Sequence, residues 1–109
     1  MNRLLFGKQP EKTAEPNVNH IKVITSSIMS SFTAIDSVHV VASQEGGLRG
    51  VELDSIFELV KHKLRLKCYE LGGDAVISCH FSERAAHSGG IVASQVIEIW
   101  AYGTVVKLG

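Results

Sequence analysis

Apolar residues recur at spacings of three, four and seven between positions 50 and 71: Leu53, Ile56, Phe57, Val60, Leu64 and Leu71. That period lines them up in one stripe and predicts a helix of about 20 residues. Glu52 and Asp54 fall in its first turn, while Lys61, Lys63, Arg65 and Lys67 lie toward its end, the polarity that the helix dipole favours. Gly72 and Gly73 stop it, because glycine accepts the left-handed backbone that closes a helix.

On either side of this helix the period falls to two, the signature of strands. Residues 20–25 form a short predicted strand with Ile21 and Val23 on one side, ended by the polar stretch 26–31. A second strand runs from about 33 to 43, with Ala34, Val38 and Val40 facing one way and Ile35, His39 and Val41 the other. Residues 43–47 then read as a turn. After the helix, residues 75–82 form a strand with Ala75, Ile77, Cys79 and Phe81 on one face. Residues 83–94, which include Gly89 and Gly90, read as a long hairpin connection or flap. The last strand carries Ile97, Ile99, Ala101 and Val105 on one face, and Val96, Glu98, Trp100, Tyr102, Thr104 and Val106 on the other.

The expected fold is therefore α+β, a two-layer sandwich of one long helix on a small antiparallel sheet. Ile77, Cys79 and Phe81 join the first face of the last strand beneath the helix. The opposite sheet face, with Trp100, Tyr102, Val96, Val106, Val76, Val41 and Ile35, has no helix left to cover it. Apolar surface of that extent on a small protein marks an interaction site, so self-association is expected.

The remaining sequence narrows the picture. Residues 1–19 hold both prolines among polar side chains and read as a flexible arm, leaving a single domain over 20–109. Eleven basic and eleven acidic residues cancel, which disfavours nucleic acid or an anionic membrane as a partner. No apolar run approaches the ~20 residues of a membrane span, and Leu4, Leu5 and Phe6 make too short a patch for a signal-peptide core. The expected location is cytoplasmic. Two cysteines outside any spaced framework agree with a reducing compartment.

Candidate chemistry is sparse. Cys68 and Cys79 are eleven residues apart rather than in a paired zinc motif, and both fall on predicted inward faces, as buried hydrophobes. His39, His80 and Glu98 share the uncovered face beside Tyr102. Two imidazoles and a carboxylate can form a facial site for a divalent metal, while the preferred reading is polar groups hydrogen-bonded within a subunit interface, with no cofactor firmly assigned. Trp100, Tyr102, Thr104 and Glu98 are the candidates for contact with a small ligand or a second subunit. His62 and His87 read as surface residues. No serine sits in a nucleophile elbow, the loop before the helix lacks the spacing and lysine of a phosphate-binding loop, and no catalytic residue is assigned.

The segment Leu71-Gly72-Gly73-Asp74-Ala75-Val76-Ile77 after an amphipathic helix, with the closing run Glu98-Ile99-Trp100-Ala101-Tyr102-Gly103-Thr104-Val105-Val106, resembles the YbjQ-like family, also called UPF0145. Its usual pattern is a helix ending in Leu-Gly-Ala-Asn/Asp-Ala-Val and a last strand reading Ala-Tyr-Gly-Thr-Ala-Val. The resemblance spans about residues 20–108, although the glycine that usually follows the family's first strand is absent here. It implies a dodecin-like subunit with the last strand central and five subunits in a ring. Members carry a heavy-metal-binding label, but no established activity comes with the fold. The expectation is a homo-oligomeric cytoplasmic module, a homopentamer that takes a small ligand or partner at its subunit interfaces. A metal-binding protein or an enzyme with a site shared between subunits is the alternative.

Overall fold

The structure, a computed structural model, describes residues 15–45, 53–87 and 95–109. Four strands and one helix follow one another as β1 (Lys22–Val23), β2 (Phe32–Glu45), α1 (Leu53–Glu70), β3 (Ala75–His87) and β4 (Gln95–Leu108). They form one sheet in the order β1-β3-β4-β2, with α1 packed on one face. The fold is α+β as expected, and β4 lies inside the sheet between β3 and β2. The sheet is mixed rather than antiparallel, because β1 runs parallel to β3. The strand expected over residues 20–25 is only two residues long, and alternation does not distinguish a parallel from an antiparallel partner.

The helix stripe builds the main core. Ile56, Val60, Leu64 and Cys68 are buried against Val38, Val40 and Ala42 of β2, Val76 and Cys79 of β3, and Ile97, Ile99, Ala101 and Val105 of β4. Each large aliphatic buried there contributes about 1.5–3 kcal/mol before entropy is subtracted. Leu53 and Leu71, at the two ends of the predicted stripe, remain exposed. A Schellman-type stop closes the helix. The Gly73 N–H donates to the Cys68 carbonyl at 2.9 Å, the Gly72 N–H donates to Tyr69 at 3.0 Å, and Gly72 has a φ of 75°. Asp74 then ties this corner to β4, where its carboxylate accepts the Leu108 N–H at 2.8 Å.

Two bulges change which side chains face the helix. The β3–β4 register slips between Ile77 and His80, so that Ser78 and Cys79 together stand opposite Gly103. Ser78 takes a φ of 54°, the left-handed conformation that such a bulge uses. The inserted residue reverses the alternation, placing Val76 and Cys79 beneath the helix and Ala75 and Ile77 on the other face. Ile77 and Val76 thus exchange the positions that simple alternation assigns them. In β2 the register slips at Ile35, which sets Ala34 opposite Val106 and away from the face of Val38 and Val40. Val106 is not left in water either. Ala75, Ile77 and Val106 form a second small core, with Ile24 and Ile28 packed over it.

Other expectations shift at the element ends. Val18, within the stretch read as an arm, is buried, and the Ile21 N–H donates to its carbonyl at 3.0 Å. Residues 1–14 lie outside the described residues, as do 46–52 and 88–94, which include the end of the predicted turn and most of the predicted flap, while residues 43–45 of that turn are strand. Residues 83–87, read as the start of that flap, are strand. No helix among the described residues is long and apolar enough to cross a membrane.

Gly103 is where the β3 bulge and β4 meet. A Cβ there would stand 2.7 Å from Cys79 Sγ, 2.9 Å from Val76 Cγ1 and 3.2 Å from the Ile77 carbonyl oxygen. Gly103→Ala should therefore lower stability by about 1–3 kcal/mol through overpacking. Urea unfolding with an unchanged slope and a reduced midpoint is the expected result.

Candidate functional site

The face of the sheet turned away from α1 carries the predicted site residues in cross-strand rows. His39 on β2 and His80 on β3 both stand opposite Tyr102 on β4, one on each side. The next row is Val41, Trp100 and Ser82, and the one after it is Ser43, Glu98 and Arg84. Thr104 lies between Ser37 and Ile77. Trp100 is 44% exposed, Tyr102 56% and Val41 37%. Bulky side chains this open on adjoining strands make a continuous apolar and aromatic strip.

Specific contacts order the strip. The His80 and Tyr102 rings stack with centroids 5.1 Å apart and planes inclined by 20°. The Trp100 indole N–H donates to Glu98 Oε1 at 3.0 Å, and Arg84 Nη1 lies 3.9 Å from the same oxygen. Arg84 was not singled out in the sequence because it falls in the segment read as a flap. Continuing the alternation of His80 and Ser82 by two residues would have found it.

This arrangement keeps the proposed metal ligands apart. Neighbouring strands are spaced by roughly 4.8 Å, so two strand intervals separate His39 from His80 by about 9–10 Å, with Tyr102 between them. Glu98 lies four residues along β4 from Tyr102, roughly 13 Å at strand spacing. A zinc ion holds nitrogen ligands at about 2 Å, which requires the imidazoles to converge. Among the described residues, no group of three or more His, Cys, Asp or Glu could hold a metal. Facing was legible from alternation, whereas the strand that separates the two histidines was not.

Both cysteines are free and buried. Burial raises the Cys68 thiol pKa, with the Asp74 charge adding to the shift. Burial pushes the Cys79 thiol up to about 11, with a backbone hydrogen bond involving Ile24 acting in part against it. Neither is disposed to ionise as a nucleophile or thiolate ligand. His62, on the helix, has Nε2 3.0 Å from Glu15 Oε1.

Two grooves flank α1. On the β2 side a groove of about 360 Å³ is lined by His39, Val41, Leu66, Lys63, Lys67 and Glu70 among others. On the β1–β3 side one of about 500 Å³ is lined by Val23, Thr25, Phe57, Phe81, Asp54, Glu58 and Lys61. The Phe57 and Phe81 rings meet there at 5.8 Å.

The chain is similar to the crystal structure of a protein of unknown function belonging to the DUF74 family, from Pediococcus pentosaceus ATCC 25745, with a TM-score of 0.72 and 24% identity. The match covers 82% of this chain and 98% of that one. At that identity the likeness establishes the shared α+β architecture alone. No family model and no curated protein matches the chain.

The cysteines give a pH prediction. Because the folded Cys79 pKa lies above its usual value of 9.0, the neutral thiol favours the fold, fully below about pH 9 and progressively less as pH rises to about 11. The urea midpoint should fall across that window, and Cys79→Ala should flatten the dependence. Thiol reagents should label the native protein slowly at neutral pH and rapidly once denaturant is added.

For the histidines, His80→Ala should leave zinc binding by titration calorimetry unchanged from the unsubstituted protein. A large loss of affinity would mean that the imidazoles converge on an ion after all.

Proposed function

We propose that the protein is a homo-oligomeric, YbjQ-like module of the cytoplasm that covers its open sheet face with further copies of itself and takes a small ligand or partner at the subunit boundaries. The observation that carries this reading is the strip of Trp100, Tyr102 and Val41, exposed on the face that α1 does not cover. The DUF74 likeness is compatible with the YbjQ-like motifs around Gly72-Gly73 and Ala101-Tyr102-Gly103. The resemblance favours a dodecin-like subunit and a ring of five. Two free, buried thiols agree with a reducing compartment.

In this reading, Trp100, Tyr102 and Thr104 contribute contact surface. Glu98, held by the Trp100 indole and Arg84, keeps a charged edge on that surface. His39 and His80 serve as polar contacts beside Tyr102 rather than as ligands of one ion within a subunit.

Size-exclusion chromatography with light scattering tests the reading. The full chain should run at the mass of five subunits at micromolar concentration. Trp100→Glu should shift it to monomer, because it would place an unpaired charge in the covered face. A monomer at every accessible concentration of the unsubstituted protein would overturn the proposal.

A further inference from the structure

We propose that the two open edges of the sheet join head to tail between copies, the outer edge of β2 in one subunit running beside the Phe81–His87 edge of β3 in the next. The grooves on either side of α1 then meet as one cleft at each boundary. This rests on the self-assembly reading above and adds a contact at the sheet edges to the covering of the open face.

Among the described residues, β2 ends the strand order and pairs only with β4 along its 14 residues. Its outer edge is partly occupied from within. Lys63 Nζ donates to the Val41 carbonyl at 2.8 Å, and the Ser37 N–H donates to Asp36 Oδ1 at 2.8 Å. By the alternation of a strand, His39 and Ser43 direct their backbone groups to the same side as Val41. At the opposite edge, among the described residues, β1 pairs with β3 only at Ala75 and Val76. The Ser78 and Cys79 N–H groups then donate to Ser26 and Ile24, each at 3.0 Å. From Phe81 to His87 no described backbone group pairs with the outer edge of β3. Open strand edges of this kind are templates for pairing with another chain.

The two edges are different surfaces on opposite sides of one sheet, so a contact between them is heterologous and closes into a ring when the rotation per copy permits. Charge favours that match over pairing of like edges. Lys63 and Lys67 border the β2 groove, with Glu70 as its nearby opposite charge, and Asp36 and His39 lie further along. Asp54 and Glu58 border the β3 groove, with Lys61 tied to Glu58 at 2.9 Å. Joining them sets the lysine pair of one copy against the carboxylate pair of the next, a complementarity that fixes register and rejects the wrong edge. The aromatic wall of Phe57 and Phe81 from one subunit then faces Val40 and Leu66 from its neighbour, which gives a boundary ligand an apolar floor drawn from two copies.

Charge reversal on the full chain tests the contact. Lys63→Glu/Lys67→Glu makes both flanks acidic, and Asp54→Lys/Glu58→Lys makes both basic. Each should weaken association at least about tenfold at low salt, and the fourfold variant, with both flanks reversed, should recover the assembly. In the assembled unsubstituted protein, hydrogen exchange at the His39, Val41 and Ser43 amides should be slow, becoming fast in the two double variants. Fast exchange at these amides in the assembled protein would overturn the edge contact, whatever the variants do. If both double variants keep the full mass while Trp100→Glu dissociates, the edge contact is wrong and assembly through the open face stands. If the unsubstituted protein is monomeric, both fall. A fourfold variant with native circular dichroism that stays dissociated also rejects the contact.

Discussion

β4 is hydrogen-bonded on both edges and apolar on both faces, and one helix covers only one of them. The other features follow from that mismatch. On the covered face, α1 buries a stripe running from Ile56 to Cys68 against Ile97, Ile99, Ala101 and Val105. On the opposite face, the segment before β2 folds Ile24 and Ile28 over Ala75, Ile77 and Val106, sealing one end. What remains open is the middle of the strand, with Trp100 and Tyr102.

The β3 bulge makes this division workable. Ser78 and Cys79 opposite Gly103 reverse the alternation of β3 partway along, so one strand supplies Val76 and Cys79 to the main core and Ala75 and Ile77 to the small one. The same reversal sends His80, Ser82 and Arg84 to the open face beside β4. Gly103 admits the bulge because a side chain there would collide with Cys79 and Val76. A backbone irregularity inside the sheet thus determines the chemistry of its surface. The open strip sets two adjacent aromatic rows, those of Tyr102 and Trp100, between a row with Thr104 and a charged row with Glu98 and Arg84.

Much of this was legible in the sequence wherever periodicity alone carries the signal. The stripe Ile56, Val60 and Leu64 marked the helix and its buried side, the glycine pair marked its end, and alternation along β4 placed Trp100 and Tyr102 opposite Ile99 and Ala101. The failures have a common cause. Period-two reasoning has no register for an inserted residue, so the bulges at Ile35 and Ser78 misplaced Ala34, Ile77 and Val76. Strand order was equally hidden. His39 and His80 were correctly placed on one face, but nothing in their spacing revealed that β4 separates them. The direction of β1 was beyond reach because the alternation read over residues 20–25 is the same for a parallel and an antiparallel partner.

Self-assembly requires the open face to be covered in solution, and Trp100, the only tryptophan, reports on that face directly. Its fluorescence emission and quenching by acrylamide should be followed as the full chain is diluted. A copy packed over the strip predicts blue-shifted emission and poor quenching at high concentration, moving together to red-shifted emission and strong quenching on dilution. Emission that is red-shifted and freely quenched at every concentration would mean that the face stays in water and that no copy packs over it.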